Sequence, residues 1–142
     1  MARKSIPLDK PIKGNAAKYL CYREAWTRVP LAQESGFPFE AIAILESIMV
    51  DRLSAYLTVA ESPGSTGYES LGGLVLRWRK VHPQLVPQGN VVDLRDAVDQ
   101  WRCARNRAVH GIVRSPSGAN PSRIDDFLAV VIAAAADGTA LA

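Results

Sequence analysis

The 142-residue sequence contains two histidines, and one of them closes a cluster of residue types able to do chemistry. In Arg105-Asn106-Arg107-Ala108-Val109-His110 a guanidinium, an amide and an imidazole fall within six residues. An imidazole titrates near neutrality, so His110 is the natural proton-transfer group. A guanidinium is a planar, permanently charged fork that bonds carboxylates and phosphates in pairs, so Arg105 is the natural holder of an anionic group. Competing arrangements are missing from the sequence. It has no Cys/His spacing for zinc, no glycine-rich phosphate loop and no Gly-x-Ser-x-Gly. The other histidine, His82, lies in His82-Pro83-Gln84 and reads as a solvated turn residue.

The segments that must position these residues read as helices, each with one charge out of place. At about 100° per residue, Ile42, Leu45, Met49, Val50, Leu53, Tyr56 and Leu57 share one arc of a helix. Glu46 falls inside that arc, whereas Ser47, Asp51 and Ser54 lie on a polar side. A later helix places Leu94, Ala97, Val98, Trp101, Ala108 and Val109 on one arc, with Arg105 inside it and Arg102, Asn106 and Arg107 outside. An unpaired carboxylate on an apolar side would cost several kcal/mol or take up a proton. Glu46 and Arg105 are therefore expected to face each other. His110 is about 140° around the helix from Arg105 and stacks over Asn106 instead. Asp93, Asp96 and Asp99 precede Arg102, Arg105, Arg107 and His110, an order that the helix dipole favours and that accounts for the outward arginines without chemistry.

The remaining signals divide the chain into one helical domain. Residues 1–14 read as a flexible basic arm, neither signal peptide nor anchor, and residues 15–142 as a single domain. A first helix is expected from Asn15, as N-cap, to about Glu34, with Pro30 bending or shortening it. A second runs from about Pro38 to Ala60, and a third from about Glu69 to Val81, stopped by His82-Pro83. A fourth, capped by Asn90, reaches His110, with Gly111 as a C′ residue; Ser122 caps a fifth over Arg123 to about Ala136. Strand signals are absent, so the expected fold is an all-α antiparallel bundle of four to five helices. Cys21 and Cys103 read as reduced core residues of a cytoplasmic protein, and no apolar run reaches the length of a membrane span. A net charge of +3 permits a nucleic-acid partner without indicating one. The residues Ile44, Ile48 and Ala55 form a second apolar set on the second helix, and suggest a homodimer face near helices two and four.

The stretch from Arg105 to His110, late in an all-helical chain, resembles the Arg-x4-6-His signature of the HEPN superfamily. Ile44-Leu45-Glu46-Ser47-Ile48-Met49-Val50-Asp51-Arg52-Leu53 resembles the second helix of its bacterial members, and the likeness spans roughly residues 15 to 137. The resemblance implies a dimer in which two copies of the motif line one cleft. It also implies a metal-independent endoribonuclease without cofactor, of toxin, phage-defence or RNA-processing type, with a cognate antitoxin or defence-system partner. His110 and Arg105 would then be catalytic, with Asn106 and Glu46 supporting them and Arg102, Arg107 and Arg114 contacting RNA. In the branch paired with a nucleotidyltransferase antitoxin a tyrosine follows two residues after the histidine; here Ile112 stands there, which argues against that branch. The alternative is a non-catalytic HEPN-like dimer that binds nucleic acid or a ligand, or serves as a scaffold.

Overall fold

The computed structural model describes residues 14–61, 69–111 and 123–142. Among these residues the regular structure is five helices: α1 (Asn15–Glu34), α2 (Pro38–Ala60), α3 (Leu71–Val81), α4 (Leu94–Gly111) and α5 (Ile124–Leu141). The described residues hold no strand beyond an isolated bridge between Gln88 and Val91. None of their helices is long and apolar enough to cross a membrane. The basic arm, apart from Gly14, lies outside the described residues, as do Ile112, Arg114 and the Ser122 cap.

Local chemistry explains the boundaries and where they depart from expectation. Asn15 is the first residue of α1 and not its cap; Gly14 holds the cap position and no side chain bonds there. Pro30 sits inside α1 without ending it. Proline removes one backbone donor, and the helix tolerates this because Val29 and Ala32 on either side are buried. Gly36, at φ 78, makes the reversal into α2, and Pro38 opens that helix with the dihedral it needs. Ser70 caps α3, accepting the Gly73 N–H at 3.2 Å. Asn90 does not cap α4. Asp93 does, its Oδ1 accepting the Arg95 backbone N–H at 3.2 Å. Gly111 is the last helical residue and not a left-handed C′ residue, since its φ is not positive. A Cβ there would meet the Phe127 ring at 3.5 Å. The fifth helix runs to Leu141, beyond the expected end near Ala136.

The second helix is the centre of the bundle and packs on α1, α3 and α5, while α4 packs on α3 and α5. Ile42, Leu45, Met49, Leu53 and Leu57 are buried as the periodicity requires, with Trp101, Val98, Ala108 and Val131 closing on them. Tyr56 leaves the expected arc and is exposed. Ile48 is buried and Ile44 packs against the core, both beside Tyr22 and Ala25 of α1, whereas Ala55, the third member of that apolar set, is exposed. On the same side Tyr22 donates its hydroxyl to Asp51, which also pairs with Lys18 at 2.9 Å. Burial, then that hydrogen bond, pushes the Tyr22 phenol up to about 12. Neither cysteine is paired, and Cys21 is exposed on α1, contrary to its expected core position.

Candidate functional site at the end of the fourth helix

The structure joins the two charges that the helical arcs set apart. Arg105 Nη2 donates to Glu46 Oε1 across the bundle, from α4 to α2. The pair is half-buried, with side chains 18% and 28% exposed. Arg105 Nε is buried and has no hydrogen-bond partner. A buried guanidinium N–H without a partner retains its desolvation cost, so the bond to Glu46 does not satisfy Arg105 in full. The carboxylate thus fixes one edge of the fork.

His110 and Gly111 are exposed in the last turn of α4, and Asn106, one turn earlier, is half-buried. Ala108, between them, is fully buried, which fixes the roll of the helix and turns His110 outward. Phe127 at the start of α5 abuts the same end through Gly111. The expected RNA-contacting arginines have different surroundings. Arg107 is exposed. Arg102 is half-buried and donates to Asp99 at 2.8 Å, with its side chain over Gly72 of α3. Arg102 is therefore tied into the α3–α4 contact. Arg114 lies outside the described residues.

Two clusters escaped the sequence reading. His82 is half-buried, not a solvated turn residue, and its Nε2 shares a hydrogen bond with the Tyr56 hydroxyl from α2. The only signal was Tyr56 falling on an apolar arc with a polar tip. Asp93 and Arg95 form a buried pair at 2.8 Å, with side chains 7% and 6% exposed. The Arg95 guanidinium, with burial opposing, holds the Asp93 carboxyl down at about 2. Among the described residues no three His, Cys, Asp or Glu side chains are placed to hold a metal ion. Comparison of the chain with protein-family models, curated proteins and solved structures finds no match.

Proposed function

We propose that the chain is an endoribonuclease whose chemistry needs no metal and whose cleft is completed by a second copy of the chain. The observation that carries this reading is the placement of Arg105: Glu46 holds one edge of its guanidinium on α4, one and a half turns before an outward His110. The resemblance of the segment from Arg105 to His110 to the HEPN signature supports it. The substrate's 2′-hydroxyl loses its proton to a base and its oxygen attacks the adjacent phosphorus. The bond to the 5′-oxygen breaks, and that oxygen takes up a proton. The products are a 2′,3′-cyclic phosphate and a 5′-hydroxyl. His110 transfers the proton, Arg105 offsets the charge of the phosphorane and Asn106 bonds the phosphate or steadies the imidazole. Glu46 positions Arg105. Such activity suits a toxin, a phage-defence effector or an RNA-processing enzyme, with an antitoxin or defence-system protein as partner.

The test is incubation of purified protein with labelled RNA in EDTA, followed by end-group analysis. Cyclic-phosphate ends are expected. Intact RNA, or 3′-hydroxyl ends that require added metal, would reject the mechanism. The second reading, a non-catalytic HEPN-like dimer, draws on Arg105 and Arg102 both being engaged by carboxylates, while Arg107 is exposed nearby. RNA binding without cleavage would select it.

A further inference from the structure

Between α2, α3, the start of α4 and the end of α5 lies a cavity of about 670 Å³. Its volume is in the range of small-molecule sites. Buried Met49, Leu53, Leu71 and Trp78 form an apolar floor. Tyr56 makes one wall aromatic: its ring meets Trp78 edge-on at 6.3 Å and His82 at 5.5 Å. The segment that joins α3 to α4 closes another side through Val86. The buried Asp93–Arg95 pair fastens that segment. Asp93 Oδ1 accepts the Val86 N–H at 3.3 Å, and Arg95 donates to the His82 carbonyl. Leu94 also donates its N–H to the Val86 carbonyl at 2.7 Å. The wall therefore exists before any ligand arrives.

The charge beside this cavity is already answered from within the chain. Among the described residues that line it, Arg52 is the only Lys, Arg, Asp or Glu. Its guanidinium donates to the Ala142 carbonyl and lies 5.7 Å over the Tyr22 and Trp26 rings. A ligand carboxylate would have to displace that oxygen. A ligand ammonium would leave water for an apolar floor with no counter-charge. The polar group left over at the aromatic wall is the Tyr56 hydroxyl, which shares one hydrogen bond with His82 Nε2. A hydroxyl has one donor and two acceptor lone pairs, so an acceptor remains whichever of the two donates.

We infer that this cavity binds a neutral, phenol-like aromatic molecule. Its rings pack on the apolar floor and against the aromatic wall, where offset or edge-on contacts add to the area buried. Its hydroxyl donates to the Tyr56 oxygen. The site does not depend on the nuclease reading. Leu94 and Val98, which line it, precede His110 by 16 and 12 residues, or roughly 18–24 Å along the helix axis at the usual rise.

The test is titration of the full chain at neutral pH with 2-naphthol, naphthalene and 2-naphthoate, each below its solubility limit. Calorimetry gives the affinities, and the indole N–H resonances of Trp78 and Trp101 give the place. 2-Naphthol is expected to saturate at one molecule per chain and to bind about fivefold tighter than naphthalene, the worth of one neutral hydrogen bond. It binds about tenfold or more tighter than 2-naphthoate, whose carboxylate finds no free cation. The Trp78 resonance moves, whereas that of Trp101, which does not line the cavity, stays. Joint substitution Tyr56→Phe and His82→Phe brings 2-naphthol down to the affinity of naphthalene and leaves naphthalene unchanged. Val86→Trp fills the cavity from the joining segment and abolishes binding of all three. If Val86→Trp does not fold, the joint substitution decides. No saturable 2-naphthol binding to the wild type overturns the proposal. So does equal binding of 2-naphthol and naphthalene, tighter binding of 2-naphthoate, or wild-type affinity in a folded Val86→Trp.

Discussion

Arg105 has two neighbours with opposite demands, the carboxylate that holds it and the anion it is proposed to receive. Because the pair with Glu46 is half-buried, its energetic weight lies between a surface ion pair and a fully buried one. Glu46→Gln or Arg105→Met alone should cost about 1–3 kcal/mol. The double variant should cost less than the sum, because neither charge is then stranded. Urea denaturation of the four proteins checks this, and additive losses would disprove the coupling. Asp93 gives a second expectation. Its carboxyl titrates at about 2 in the folded chain against an ordinary 3.8, so the folded state binds the proton less readily than the unfolded chain. The resulting stability is complete above about pH 4 and disappears as pH falls toward about 2. Thermal melting between those values should show a falling midpoint, and Asp93→Asn should flatten part of the fall. A slope unchanged in Asp93→Asn would assign acid sensitivity elsewhere.

At the scale of the helices, two glycines separate propensity from packing. Both lie in helices where alanine is intrinsically favoured by roughly 0.5–1 kcal/mol. A Cβ on Gly72 would meet the flexible Arg102 side chain at 3.5 Å, an ordinary contact, so Gly72→Ala should stabilise by about that amount. A Cβ on Gly138 would stand 2.7 Å from Trp101 Nε1, which already donates to the Ala134 carbonyl at 2.8 Å. There sterics win, and Gly138→Ala should destabilise by about 1–3 kcal/mol. Equilibrium unfolding distinguishes the two signs. The same contrast explains what could be read in advance. Pro38, the Gly36 reversal and the 3.6-residue arcs placed α1 and α2 from neighbours in sequence, and the Glu46–Arg105 pair followed because each helix carried one charge of opposite sign on its apolar arc. The α4 cap was misplaced because Asn90 and Asp93 are both good caps, and the choice rests on a tertiary pair with Arg95. His82 was misread because it lies past the end of α3, where no helical period places it against Tyr56. Gly138 gave no signal at all, since a close approach to Trp101 has no periodicity.

At the scale of the whole molecule, the proposed cleft requires two copies. Ile44 and Ile48 of α2 are engaged inside the chain, and α5 carries large apolar residues that face outward. Ile124, Leu128 and Ile132 recur every four residues along one exposed stripe. Sedimentation at micromolar concentration should give twice the 15.4 kDa chain mass. Ile132→Glu should return the mass to one chain with a change in chain stability within about 0.5 kcal/mol, because the side chain points outward. A monomeric wild type would remove the two-copy cleft.

The proton-transfer role of His110 is the claim on which the nuclease account stands. Its most direct test is single-turnover cleavage of a labelled RNA in EDTA by the wild type, His110→Ala and His82→Ala. General acid–base help is typically worth about 10²–10⁴ in rate. The account predicts a loss of that size in His110→Ala, with RNA affinity and melting temperature kept because the ring is exposed, and wild-type cleavage in His82→Ala. Equal cleavage by the wild type and His110→Ala would contradict it.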